Sequence, residues 1–306
     1  MRIVVTGGTG FIGRRLVSVL AARGDEVTLL ARDPERALRA VKGAKAAERW
    51  DSDSADGAWR ATLARADVLV HLAGEPINAR RWDDAHKARI RDSRVAGTRH
   101  LVEAMRALPS SERPKVFASA SGVDFYGDTG DDEKIESSPA GTTFLSEVCV
   151  AWEREAFEAR SLGVRVNAAR TGIVLGDGGG ALEQMLLPFK MFVGGPIGGG
   201  KQWFPWLHVE DMVAMYLGAI DDPRFDGPYN AVTESVRMSE FARALGKVLS
   251  RPSWLPVPGF ALRVALGELG ALVAESKRIS PAFLRSIDFR FAFPTLEGAL
   301  RAVLAR

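Results

Sequence analysis

Thr6-Gly7-Gly8-Thr9-Gly10-Phe11-Ile12-Gly13 follows the apolar run Ile3–Val5 and opens a helical pattern over Phe11–Arg23. A glycine triad between a strand and a helix, at this spacing, points to dinucleotide binding. Gly7 permits the tight turn, Gly10 lets the backbone approach a pyrophosphate, and Gly13 lets the helix pack closely on the sheet. The helix start adds unpaired N–H groups and the positive end of its dipole.

Outward from this loop, short apolar runs alternate with helical patterns. Val27–Leu30, Val68–Leu72, Lys115–Ala118 and Val164–Ala169 read as buried strands. Helical patterns lie at Ala58–Arg65, Asp83–Ala107 and Phe144–Ser161. Strands alternating with helices predict an α/β fold: a Rossmann-type, doubly wound parallel sheet. Past Gly172 the pattern changes. Two glycine-rich loops, Gly176–Gly180 and Gly194–Gly200, are followed by helical patterns at Val209–Ile220, Ser239–Leu249, Phe260–Ala274 and Thr295–Leu304. Short strand candidates remain at Pro228–Val232 and Phe289–Phe293. This predicts a cofactor domain over 1–172 and a smaller, helix-rich substrate domain over 173–306, with the Val209–Ile220 helix packing back onto the first.

Composition excludes several classes. The 306 residues are 46% hydrophobic and 26% charged, enough for a sizeable core and against global disorder. A net charge of +3, from 41 basic and 38 acidic residues, gives no nucleic-acid footprint. One cysteine, Cys149, excludes an internal disulfide framework. The histidines at 71, 86, 100 and 208 lack metal-ligand spacing. The window Leu255–Ala274 carries Arg263, Glu268 and two prolines, so no membrane span is expected. A cytoplasmic protein is the expectation.

The end of the second strand bears on cofactor choice. An NAD site usually has an acid there; this chain has Ala31-Arg32. A guanidinium suits a 2′-phosphate, so NADP (NADPH) is expected over NAD. Asp33 is either a displaced acid or the start of an Asp-Pro turn into the next helix.

TGGTGFIG, VHLAG at Val70–Gly74, SASGVDFYG at Ser119–Gly127, RTGIVLG at Arg170–Gly176 and LHVEDM at Leu207–Met212 together resemble the extended short-chain dehydrogenase/reductase superfamily. HLAGEPI, Arg81-Trp82, Asp92–Arg94, Trp152-Glu153 and GGPIGGGKQWFPWLHVED resemble its atypical "epimerase family protein" subgroup, and so does the tail from Trp254 to Leu304. The resemblance implies that Gly7, Thr9, Gly10, Phe11, Ile12 and Gly13 surround the pyrophosphate, and that Leu72, Ala73 and Gly74 follow the adenosine ribose and linker. It places Arg94 where extended relatives usually carry an asparagine facing the cofactor. Ser119, Thr171, Gly172 and Val174 would lie near the nicotinamide. Ser119 and Ser121 compete for the catalytic serine position.

The superfamily's usual chemistry needs Tyr-x-x-x-Lys on one helix, with the lysine charge lowering the phenol pKa. This chain has three tyrosines. Four residues after Tyr126, Tyr216 and Tyr229 stand Gly130, Ile220 and Thr233. The pair is absent. Tyr126 is the leading replacement acid, with a packing residue as its alternative. Ser119 and Ser121 could polarise a carbonyl or cap loop backbone. Cys149 reads as a small buried hydrophobe, Glu147 as an exposed residue, His71 as a core histidine and His208 as a structural hydrogen-bonder. Gly195–Lys201 resembles a P-loop but lacks the Ser or Thr after its lysine. It reads instead as a loop leading to aromatics, Trp203 to Trp206, that either wall the substrate cleft or fill a core. The basic stretch Arg80–Arg106 reads as a solvated helix face.

The expected function is an NADP-binding oxidoreductase or epimerase-like enzyme for a small polar molecule, sugar-like or carbonyl. The alternative is an NADP(H)-binding sensor without turnover. Related folds pair through their long helices, which leaves a homodimer open.

Overall fold

The computed structural model describes residues 1–256 and 267–304. The expected helix at Phe260–Ala274 therefore lies partly outside the described residues; a short helix spans Glu268–Val273 within it. The N-terminal half runs β1 (Arg2–Thr6), α1 (Phe11–Ala22), β2 (Glu26–Ala31), α2 (Pro34–Ala40), β3 (Ala46–Arg49), α3 (Trp59–Leu63), β4 (Val68–His71) and α4 (Asp84–Ala107). It continues with β5 (Val116–Gly122), α5 (Phe144–Phe157) and β6 (Arg165–Thr171).

Among the described residues, seven parallel strands form one sheet in the order β3-β2-β1-β4-β5-β6-β9, where β9 is Gly227–Ala231. The strand order reverses between β1 and β4, which opens a crevice at the carboxyl ends of the strands. The glycine loop leaves β1 at that point. Both faces of the sheet are covered, which is why its strands read as unbroken apolar runs. Val5, Leu16, Leu20, Val70 and Met215 lie in the core on one face. Trp59, Leu69, Leu101, Met105 and Phe117 lie in the core on the other.

Beyond β6 the chain builds β7 (Ile173–Leu175), α6 (Ala181–Lys190), β8 (Trp203–His208) and α7 (Val209–Asp221). After β9 come β10 (Glu234–Arg237) and α8 (Met238–Leu249). The strands β10, β8 and β7 form a second, three-stranded sheet. α7 packs on α1, and β9 extends the first sheet, so the chain crosses back after Gly172.

One expectation is corrected here, and one of two open alternatives is supported. Phe289–Phe293 alternates like a strand but pairs with no strand among the described residues. Its backbone instead meets the buried Asp211 carboxylate, which accepts from the Ala292 N–H at 2.6 Å and the Phe293 N–H at 3.2 Å. The aromatics after the second glycine loop are a strand rather than a cleft wall: Phe204 and Trp206 fill the core of the second sheet. Trp203 alone stays half-buried, flanked by the Arg237 and Arg278 guanidiniums at 4.0 and 4.9 Å from its ring.

Candidate active site

At Gly7 the backbone has φ 68°, and a methyl group there would lie 2.6 Å from the Ala73 nitrogen and the Leu72 carbonyl carbon. The glycine loop thus rests directly on the exit of β4, which brings Leu72 and Ala73 beside it. A methyl group on Gly13 would sit 2.4 Å from the Gly7 oxygen. The close approach at Gly13 is therefore between the helix and the loop's own backbone, not the sheet.

Gly10 caps the start of α1, and its N–H donates to the Gly7 carbonyl at 3.0 Å. No side chain caps this helix, and both Thr9 and Gly10 are exposed. A methyl group on Gly10 would meet only the Gly7 oxygen, at 3.2 Å, within 4 Å. The helix therefore presents first-turn N–H groups and its positive dipole end to open space, the arrangement that accepts an anion. Phe11 turns its ring away, against Gly176, Gly179 and Gly180, while Ile12 packs on the core. Arg15 pairs with Asp177 and, at 2.8 Å, with Glu210, which ties α1 to the same glycine loop.

Arg32 follows β2, is exposed, and makes no ion pair among the described residues. Asp33 accepts from the Arg36 N–H at 3.0 Å and caps α2, so its carboxylate serves the helix. The Asp-Pro turn is the alternative the geometry supports.

Thr6, His71 and Ser119 stand side by side across β1, β4 and β5. Thr6 Oγ1 accepts from the Ala73 N–H at 3.2 Å and lies 2.6 Å from His71 Nδ1. His71 is fully buried among Trp50, Phe117 and Trp152. Burial, aided by the Arg94 charge, pulls its pKa from 6.5 to about 3. The unfolded ring protonates first as pH falls, so its contribution is present above pH 6.5 and lost below it. From pH 8 to pH 5 this ring alone should lower stability by about 2 kcal/mol. Urea unfolding of His71→Asn should show a correspondingly flatter stability profile over that interval. An unchanged slope would exclude a neutral buried ring.

The three hydroxyls read from sequence as catalytic do not converge on open space. Ser119 is fully buried, and its Oγ donates to the Ala120 carbonyl at 3.0 Å. Ser121 donates to Glu153 Oε1 at 2.7 Å. Tyr126 is 3% exposed; its hydroxyl donates to Asn230 Oδ1 at 2.7 Å and accepts from Arg170 Nη1 at 2.8 Å. Burial pushes the phenol up to about 12. These bonds fit the packing alternative for Tyr126 and not the proton-donor role, because the phenol proton is already given to a buried amide.

Behind these groups lies an ion pair that the sequence reading missed. Arg170 on β6 grips Glu153 on α5 with two hydrogen bonds of 2.8 Å, and both side chains are buried. Arg170 also donates to the Glu136 carbonyl and stacks 3.4 Å from the Phe125 ring centre. The only sequence hint was that Glu153 and Arg170 fall in the family-like stretches Trp152-Glu153 and Arg170–Gly176.

On α5, Leu145 and Cys149 share one buried face at the four-residue spacing. The Cys149 Sγ would touch a methyl group on Gly122, the last residue of β5, at 3.7 Å. Burial, with Asp124 and Glu153 nearby, pushes the thiol up to about 12, so no thiolate forms near neutral pH. Glu147 is exposed. Lys277 reaches over the same strand end; its Nζ lies 2.7 Å from Glu275 and 3.3 Å from Asp124, and these carboxylates hold its pKa above the usual value despite burial. Thr171 Oγ1 donates to the Ala169 carbonyl at 3.1 Å, and the Gly172 N–H to the Ala231 carbonyl at 3.0 Å. Val174 pairs with Leu207 in the second sheet. These three residues mark the crossing between the sheets. His208 caps α7 by accepting from the Glu210 N–H at 3.1 Å.

A parallel sheet with this strand order, and an anion-accepting glycine loop at its switch point, define an NAD(P)-binding Rossmann fold. The chain belongs to the NAD dependent epimerase/dehydratase family, whose model matches residues 3–232; residues 257–303 match a domain of unknown function, DUF1731. It is 36% identical to the epimerase family protein SDR39U1 of Bos taurus, over the whole of both chains. The crystal structure of human SDR39U1 (isoform 2) with NADPH superposes with a TM-score of 0.85 and 31% identity, each chain fully covered. The Thermus thermophilus UDP-glucose 4-epimerase complex with NAD shares the fold at TM-score 0.78 and 21% identity, over 100% of this chain and 98% of that one. Among the described residues, no group of His, Cys, Asp and Glu gathers to hold a metal, and no helix is long and apolar enough to cross a membrane.

Proposed function

We propose that the chain is an NADP(H)-binding oxidoreductase or epimerase-like enzyme acting on a small polar molecule. One observation carries the cofactor assignment: the uncapped start of α1 at Gly10 follows β1, and the neighbouring strand β2 ends at Arg32, an exposed arginine with no ion pair among the described residues. Gly7, Thr9, Gly10, Phe11, Ile12 and Gly13 would surround the pyrophosphate, their backbone N–H groups serving it. Arg32 would take the 2′-phosphate. Leu72, Ala73 and Gly74 would follow the ribose and linker, and Thr171, Gly172 and Val174 would border the nicotinamide. When bound, the dinucleotide supplies or accepts a hydride. The human relative crystallised with NADPH supports this choice.

Parallel titrations with NADPH and NADH test it. A charged hydrogen bond of about 1.5–3 kcal/mol predicts that Arg32→Ala weakens NADPH about 10- to 100-fold and leaves NADH unchanged. Equal affinity for both, unaltered by the substitution, would remove the NADP assignment.

A second reading is an NADP(H)-responsive regulatory protein without turnover. It is favoured by the absent Tyr-x-x-x-Lys pair together with the engaged hydroxyls of Ser119, Ser121 and Tyr126. NADPH oxidation with any member of a broad carbonyl panel would decide for the enzyme. Binding without turnover, with a protein partner captured in only one cofactor state, would decide for the sensor.

A further inference from the structure

Lys277, near the C-terminal end of the chain, brings a buried ammonium to the carboxyl end of β5. Its side chain is 9% exposed, and its Nζ lies 2.7 Å from Glu275 Oε2 and 3.3 Å from Asp124 Oδ1. An ammonium carries three N–H donors; two face these carboxylates, and the third is left for a ligand. The backbone around the lysine is tied down from two sides. The Thr129 N–H donates to the Ser276 carbonyl at 2.8 Å, the Lys134 N–H to the Arg278 carbonyl at 2.9 Å, and the Ser280 N–H to the Lys134 carbonyl at 2.9 Å. From β8, the Trp203 carbonyl accepts the Lys277 backbone N–H at 3.1 Å. The ammonium is therefore fixed at this point and not carried on a free surface arm.

What it is fixed against indicates its use. Asp124 Oδ2 and Cys149 Sγ would lie 3.5 and 3.7 Å from a methyl group on Gly122. Gly122 pairs with Thr171 across β5 and β6, and Thr171 borders the nicotinamide in the reading above. A carbonyl reduced there must take up a proton beside these strand ends. The hydroxyls of Ser119, Ser121 and Tyr126 already donate to protein acceptors. Cys149 would leave a buried thiolate beside Asp124 and Glu153, the arrangement that pushes its pKa up. Lys277 would leave only a neutral amine. Although burial pulls its pKa down, Asp124 and Glu275 lift it above the usual value, so the group is charged at neutral pH. It can then give a proton but not take one.

We propose that Lys277 is the proton donor that replaces the absent Tyr-x-x-x-Lys pair, that its remaining N–H meets the carbonyl oxygen of the substrate, and that the reaction runs as carbonyl reduction. This rests on the NADP(H)-dependent enzyme reading above. The carbonyl carbon receives the hydride that the cofactor supplies and gains a C–H bond. The π pair moves onto oxygen, and the oxygen takes a proton from Nζ. An alcohol and a neutral amine result, and the flanking carboxylates draw a proton back onto the amine from water.

Two measurements on the full chain test this. The first follows NADPH oxidation with phenanthrenequinone, benzaldehyde and dihydroxyacetone as carbonyl probes. Lys277→Arg keeps a cation between the same carboxylates but cannot release its proton. Its kcat should fall at least about 100-fold, with NADPH affinity within about twofold of the unaltered chain. Circular dichroism checks the fold of this variant. A smaller loss of kcat would overturn the proposal and leave Lys277 as a fixed charge only. The second measurement needs neither turnover nor a variant. The Lys277 ammonium resonance of the isotope-labelled chain is compared before and after the same probes are added with oxidised NADP, a combination that cannot react. A shift with at least one probe is expected. No shift with any probe would overturn the proposal even where kcat falls, because the ammonium would not touch the substrate. If the unaltered chain binds NADPH but turns over none of the probes, the enzyme reading itself falls, and this proposal with it.

Discussion

Replacing Glu153 with alanine should destabilise the fold by about 3–5 kcal/mol, because it leaves the Arg170 guanidinium buried and unpaired. The carboxylate accepts both parallel bonds from Arg170 and the Ser121 hydroxyl proton. Arg170 in turn orients Tyr126, whose hydroxyl bonds Asn230, whose amide donates to the Ser280 carbonyl at 2.9 Å. One buried chain of contacts thereby joins α5, β5, β6, β9 and the segment around Ser280. Replacing both charges, Glu153→Leu with Arg170→Met, removes the unpaired ion and should cost less than Glu153→Ala alone. Urea unfolding measures both. A Glu153→Ala loss below about 1 kcal/mol would show that the pair is not the brace described here.

Gly10→Asp should separate binding from folding. Gly10 already has the extended geometry of a helix cap, with φ −74° and ψ 174°, but offers no side chain to the first turn. Aspartate is a preferred cap residue, so stability should hold within about 1 kcal/mol. The added carboxylate would occupy the dipole end and the N–H groups assigned to the pyrophosphate, and would repel its charge. NADPH affinity should fall at least 100-fold, which corresponds to about 2.7 kcal/mol. Thermal unfolding and cofactor titration of the same sample make the comparison.

Much of the sheet was legible in the sequence because its inner strands are buried on both faces and read as apolar runs. The edge strand β3, Ala46–Arg49, escaped because it is only partly buried and carries Glu48 and Arg49. α6 was hidden by Pro188 inside it and by the glycines before it. Pro205 and its aromatic neighbours disguised β8, which pairs antiparallel with β10. Phe289–Phe293 alternates like a strand, but a strand also needs an edge to pair with. Asp211, about 80 residues away, takes its N–H groups instead.

The site divides in the same way. The turn of the glycine loop and the place of Arg32 after β2 were readable because they are local: one turn, one helix start, one strand end. Tyr126 was misleading because what engages it is distant. Its partner Asn230 lies 104 residues along the chain, and Arg170 lies 44 away. No spacing rule within one helix could show that the phenol is enclosed. The same holds for Arg94, whose guanidinium donates to the Glu75 and Ile90 carbonyls and lies 5.3 Å from the Trp152 ring.

The central claim is that this chain holds NADP(H) at the start of α1 although it lacks the superfamily's usual proton relay. Fluorescence titration of NADPH into the unaltered chain and into Gly10→Asp tests it most directly. The account predicts saturable binding to the first, and binding at least 100-fold weaker to an equally folded second. Equal binding to both, or none to the unaltered chain, would contradict it.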